Sequence, residues 1–169
     1  GIYDGEIINH LLWKEKENLP KKAVLTEAEG KLVARYSLPV MEMEDMPVKE
    51  VIYTPLGETV LDFGQNFAGY VTFRNHLLEG TRIVFDHGEI LQDGNFYNEN
   101  YRSAKSQFVY VSDGRDELVR PSFTYFGFRY VRVTGWPGEA KEEDFTGKAL
   151  YSKMDRTGYI ETGHQGVNR

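Results

Sequence analysis

From Val48 onward the chain is written in short runs of Val, Ile, Tyr, Phe and Thr separated by turn residues, the pattern of a domain built from strands. The runs predict strands over 48–54, 59–63, 69–76, 81–89, 105–111, 117–120, 127–133 and 147–152, with one more upstream at 31–36. In 69–76 the residues alternate, which sets Val71 and Phe73 on one face and Tyr70, Thr72 and Arg74 on the other. Ile83 with Phe85, and Phe108 with Tyr110, repeat that habit. Pro55-Leu56-Gly57, Glu79-Gly80, Asp93-Gly94 and Asp113-Gly114 punctuate the runs with turn chemistry that favours antiparallel neighbours. The simplest way to bury such faces is an all-β fold of two packed antiparallel sheets, a β-sandwich.

The first 47 residues read differently. Charged clusters at Lys14 to Glu17, Lys21-Lys22 and Glu42 to Asp45 interrupt brief apolar stretches, and Pro20, Pro39 and Pro47 punctuate them. This predicts an irregular arm over 1–47, a sandwich over 48–155 and a linker over 156–169. One amphipathic helix is expected at 8–17, where Ile8, Leu11 and Leu12 share a loose stripe. No repeat of fixed period and no low-complexity tract is present.

Composition narrows the function. With 169 residues, 40% hydrophobic and 14% aromatic, the chain has enough apolar side chain for one core. The net charge of −6 argues against a nucleic-acid surface, which needs clustered cations. There is no Cys, hence no disulfide or thiolate metal site, and His10, His76, His87 and His164 are too dispersed to suggest ligands, so no metal and no cofactor is expected. No apolar stretch is long enough to span a bilayer, and the chain starts with Gly rather than Met, as an excised or recombinantly expressed segment would.

Motif chemistry excludes more than it offers. Asp62-Phe63-Gly64 matches a kinase metal-binding tripeptide, but neither a His-Arg-Asp loop nor a glycine-rich phosphate loop accompanies it. Asp86 and Glu89 could be pictured as an acid and base across a glycosidic bond, yet period-2 alternation puts them on opposite faces, and both are expected to be solvated strand-end acids. Tyr97, Tyr101, Tyr125 and Phe126 form an aromatic set able to stack on sugar rings, although core packing or contact with a neighbouring domain is the ordinary use of such rings. In the octapeptide Asp62 to Gly69, Gly64 and Gly69 permit unusual backbone geometry, and the amides of Gln65 and Asn66 can satisfy groups exposed at a bend. Asp62, Gly64, Gln65, Asn66 and Gly69 are therefore expected to have structural roles.

The order of these features resembles the bacterial α-L-rhamnosidases, multidomain glycoside hydrolases. The resemblance rests on DFGQNFAG at 62–69, on EGTRIVFDHGEILQDGNFYNENYRSAKSQFVYV at 79–111, and on FTYFGFRYVRVTGWP at 123–137. It begins at Ile2-Tyr3-Asp4-Gly5-Glu6 and reaches ALYSKMDRTGYIET at 149–162, which resembles the family's exit toward a catalytic α/α-barrel, although Gly163-His164 stands where a Ser-Asn pair is common. The resemblance implies a jelly-roll-like, concanavalin-like sandwich beside that barrel, and inverting hydrolysis by an acid and a base outside this chain. No catalytic residue is carried onto it.

Three functions follow as expectations. The first is a non-catalytic accessory domain whose partners are the neighbouring domains of its own polypeptide. The second is a carbohydrate-binding module for rhamnosyl glycans, using the aromatic set. The third is a small free-standing glycosidase using Asp86 or Glu89.

Overall fold

The computed structural model describes residues 2–16, 22–27 and 29–168. The central element is β4 (Thr59–Asn75), in which the two runs predicted at 59–63 and 69–76 are one continuous strand. Along one edge it pairs with β3 (Glu50–Tyr53) and then β11 (Phe145–Ser152). Along the other it pairs with β10 (Phe126–Thr134) and then β9 (Glu117–Val119). β10 continues the sheet to β5 (Arg82–Gly88) and β8 (Gln107–Val111), while β11 continues it to β2 (Val40–Pro47). Among the described residues this makes one nine-stranded sheet curled on itself, with a separate hairpin of β6 (Ile90–Gln92) and β7 (Asn95–Tyr97). The all-β reading holds.

With 17 residues β4 is long enough to take two partners in succession along each edge, and it bends between them. Phe128 lies opposite Phe67 and Tyr130 opposite Asp62, so β4 bulges between these pairs and presents Gly64, Gln65 and Asn66 to solvent. The bend lets both halves of β4 face one core. Leu61, Phe63, Val71 and Phe73 meet Ile83 and Phe85, Phe108 and Tyr110, and Phe128 and Val131, all buried. Phe73 and Phe85 lie 5.4 Å apart between ring centres, and Phe85 stacks on Phe108 at 6.1 Å. Ring pairs of this geometry contribute beyond their buried area.

Several expectations are corrected. The helix is shorter, α1 (His10–Lys16), because residues 6–9 form β1 (Glu6–Asn9), which runs parallel to β8. Asn9 Oδ1 accepts the Leu12 N–H at 3.2 Å and so starts the helix. Glu17, Pro20 and Lys21 lie outside the described residues. Residues 31–36 form no strand: Leu32 and Tyr36 are fully exposed, so neither has a core face to bury. The arm is not wholly irregular, since β1 and β2 join the sheet. Tyr70 and Thr72 are buried as well as their neighbours on the core face. The Tyr70 hydroxyl donates to Glu42 and accepts from Arg120, and Thr72 donates to the Thr146 carbonyl, which makes burial of both polar atoms tolerable.

Candidate functional site

The start of β10 and the turn after β7 enclose an open groove of about 820 Å³, bordered by Tyr3, Glu89, Tyr101, Arg102 and Tyr125, with Phe126 and Gly127 beneath. Three of the four aromatic candidates converge here. Tyr101 donates its hydroxyl to the Gly127 carbonyl at 2.5 Å, which fixes the ring against β10. Burial pushes its phenol pKa up, and the Glu89 charge adds to this, so Tyr101 stays neutral. Tyr125 is 45% exposed, whereas Phe126 is only 5% exposed. The Phe126 ring lies 3.9 Å from the imidazole of His87, stacked on it, and is part of the packing rather than an open platform. Tyr97 pairs with Ile90 in the small hairpin and is not among the lining residues.

Glu89 belongs to the groove, and its carboxylate is positioned by two amides. Asn66 donates to Oε1 at 2.9 Å and Asn100 to Oε2 at 3.4 Å. The bulge in β4 thus reaches the groove through Asn66. The neighbouring backbone is strained: Arg102 takes φ +58° and Ser106 φ +47°, left-handed values that cost a side-chain-bearing residue energy.

The motif residues are held locally. Asp62 accepts Arg129 Nε and Nη2 at 2.8 Å each, and the Gly64 N–H at 2.6 Å. Burial opposes the charged carboxylate, but these donors outweigh it and hold Asp62 below the usual carboxylate range. Gly64 has φ +81°, and a Cβ there would meet Lys49 Cγ at 2.9 Å. At Gly69 a Cβ would lie 2.0 Å from the Lys148 carbonyl oxygen. The Gln65 side chain is exposed.

Asp86 differs from expectation. It is buried, not solvated, because Arg132 Nη2 reaches its Oδ2 at 3.0 Å and Gln107 donates to Oδ1 at 2.7 Å. Arg132 also donates to Glu58 at 2.9 Å and lies over the Phe96 ring at 4.8 Å. Burial works against the Glu58 carboxylate, yet bonds from Arg132, the Phe96 N–H and Thr54 bring its pKa below the ordinary value. The sequence signal for this network was the cation inside an otherwise apolar run, Arg132 between Val131 and Val133.

One grouping had no signal in the sequence spacing. His10, Asp113 and Glu117 bring ligand-type atoms within 4.8 Å of one another. These atoms already have protein partners. His10 Nδ1 is 2.6 Å from Glu117, and Asp113 takes the Arg115 guanidinium at 2.6 Å and its N–H at 3.1 Å. The cluster is a polar clasp that ties α1 to the turn between β8 and β9.

The geometry has relatives. Residues 52–151 match the model of the bacterial alpha-L-rhamnosidase concanavalin-like domain. This chain belongs to that family. An alpha-L-rhamnosidase of Streptomyces avermitilis is 36% identical over 140 residues, which cover 82% of this chain and 14% of that protein. Another, of Formosa agariphila, is 27% identical over 187 residues and covers 99% of this chain and 19% of its own length. Among solved structures, the alpha-L-rhamnosidase of Dictyoglumus thermophilum superposes with a TM-score of 0.84 at 29% identity, over 99% of this chain and 20% of that one. The chain therefore spans less than a quarter of the length of each of these relatives. The matched span runs from β3 into β11 and includes the β4 bulge and the groove residues from Glu89 to Gly127, while Tyr3 lies outside it.

Proposed function

We propose that this concanavalin-like domain is a non-catalytic accessory part of an α-L-rhamnosidase. It braces an α/α-barrel that removes terminal rhamnose from glycans or glycosides with inversion. The observation that carries the reading is the match over 52–151 together with the 14% share of the Streptomyces avermitilis relative. The state of the carboxylates supports it. An inverting pair needs a protonated acid and a water-activating base about 6.5–9.5 Å apart. Here Asp62 is engaged by Arg129, Glu58 and Asp86 by Arg132, and Glu89 by two amides. The shifts of Glu58 and Asp62 are downward, opposite to what a general acid requires. In this reading residues 1–47 lead in from a preceding domain and 156–169 lead on toward the barrel.

The test is hydrolysis of an aryl α-L-rhamnoside. The 169-residue chain is expected to show none, and a longer polypeptide containing it to release β-rhamnose first by NMR. Turnover by the chain alone, abolished by Glu89→Gln, would restore the free-standing glycosidase.

A second reading, sugar binding, is favoured by the groove in which exposed Tyr125 faces Glu89 and Tyr101. Its check is a heteronuclear NMR titration with L-rhamnose and rhamnosyl oligosaccharides. Saturable shifts confined to residues 89, 101–106 and 125–127 support it, and unperturbed spectra remove it.

A further inference from the structure

We propose that the corner where β2 begins and β11 ends is the docking face for the catalytic portion of the same polypeptide. This inference rests on the accessory-domain reading. Val40 pairs with Ser152 at this corner, and the Lys153 N–H donates to the Pro39 carbonyl at 2.9 Å. The segments on either side of the paired strands therefore leave the sheet side by side. They carry exposed apolar side chains, including Val33, Tyr36 and Ile160, each more than two-thirds exposed, and Tyr159, over whose ring only the Arg156 guanidinium lies among the described residues.

Between these exits and the turn before β10 lies a second groove, of about 660 Å³, bordered by Val40, Met41, Leu150, Phe123 and Tyr125. Phe123 is 90% exposed, an unusual state for a large ring whose backbone is held. Glu6 Oε2 accepts the Phe123 N–H at 2.8 Å and the Ser122 N–H at 3.0 Å, and Thr124 donates to the Ile2 carbonyl at 3.3 Å. The ring thus stands on a fixed turn, and an anchor ordered before binding costs little entropy to use.

The charges beside it are already matched. Glu42 takes Arg120 and the Tyr70 hydroxyl, Asp45 takes Lys148, and Glu44 takes the Tyr151 hydroxyl. The face left over is apolar, and its occupant is an apolar face. Elsewhere on the sheet the exposed apolar residues, such as Tyr53, Leu56, Leu78 and Leu118, stand on separate elements and turns. In the relatives at least four-fifths of the polypeptide lies outside the stretch this chain covers. Chain that is tethered at this corner meets the groove at high effective concentration, so a modest patch suffices to hold it.

Hydroxyl-radical footprinting tests the proposal, applied to the 169-residue chain and to a polypeptide that joins it to a catalytic portion. Phe123, Tyr125 and Met41 are expected to label readily in the shorter chain and to lose most of that labelling in the longer one, with Leu56 and Leu78 unchanged. Phe123→Asp in the longer polypeptide should restore labelling of Met41 and lower its thermal midpoint, while leaving the midpoint of the shorter chain in place. Equal labelling in both chains overturns the docking face. Protection that appears in the shorter chain as its concentration rises, or on addition of L-rhamnose, overturns it too, in favour of a second copy or a glycan. Aryl rhamnoside cleavage by the longer polypeptide, measured in parallel, reports on the accessory reading alone, so the two ideas fail separately.

Discussion

His87 gives a pH dependence that can be worked from the structure. Its ring is buried, stacked on Phe126 and edge-on to Phe128 at 4.8 Å. Nδ1 lies 2.8 Å from the Ser106 carbonyl, which can only accept, so Nδ1 carries the proton of a neutral imidazole. Desolvation lowers the pKa from 6.5 to about 4, against the pull of the Ser106 carbonyl and of Asp86. The unfolded chain binds a proton at this residue near its ordinary pKa, while the folded chain refuses it until pH falls to about 4. Unfolding is therefore accompanied by proton uptake in that window, and stability declines as pH drops through it. At about 1.4 kcal/mol per unit, a gap of about 2.5 units corresponds to roughly 3 kcal/mol lost by pH 4. Glu58, Asp62 and Asp113 have lowered values, so their stabilisation is lost only at lower pH, below their ordinary 4.5 or 3.8. The measurement is urea unfolding followed by tryptophan fluorescence between about pH 7 and pH 4.5. His87→Asn keeps a donor for Ser106 but cannot titrate. It should be less stable at pH 7 by roughly 2 kcal/mol for the lost ring packing, with a shallower decline on acidification. The other histidines are common to both proteins, so the difference in slope isolates His87. Identical slopes would refute the reasoning.

Two further substitutions probe the sheet. Arg132→Met should destabilise by roughly 3 kcal/mol at neutral pH, because Glu58 and Asp86 lose their shared cation; Glu58, no longer held below its ordinary value by Arg132, takes up a proton as pH falls through 4.5, so the deficit should shrink near pH 4, and chemical denaturation at the two pH values measures it. Gly69→Ala forces a Cβ against the Lys148 carbonyl and should part β4 from β11 at a cost of about 3 kcal/mol or more. Faster amide exchange at residues 145–149 would report that separation, and unchanged exchange would count against it.

The sequence was most legible where burial is one-sided or complete. Val71 with Phe73, Ile83 with Phe85, and Phe108 with Tyr110 repeat every second residue because each pair lines the same core, and all six are buried. The edges were not legible. β2 carries Glu42, Glu44 and Asp45 since, among the described residues, its outer side meets no further strand, and charge there discourages unwanted pairing at the expense of any strand signal. β1 is too short to show a period, and its place beside β8 depends on a partner about a hundred residues away. The run at 31–36 has strand-like composition but pairs with no strand among the described residues, so local propensity alone does not make it one. Similarly, Asp86 reads as a surface acid because nothing near it in the sequence shows that Arg132 and Gln107 will converge on it. Of the groove, the aromatic members were visible by type. Glu89, Arg102 and Asn100 gained their places only when the β4 bulge and the turn after β7 met.

The central position of β4 also bears on synthesis at the ribosome. Its two longest partners, β10 and β11, begin at Phe126 and Phe145, more than fifty residues after β4 itself has ended at Asn75. A nascent chain must therefore hold a 17-residue strand carrying Val60, Leu61, Phe63, Phe67, Val71 and Phe73 without its main neighbours until the distal third of the domain emerges. During that interval both long edges of β4 can template pairing with other chains, so the domain should depend on chaperones or translation rate for its yield more than its finished stability suggests.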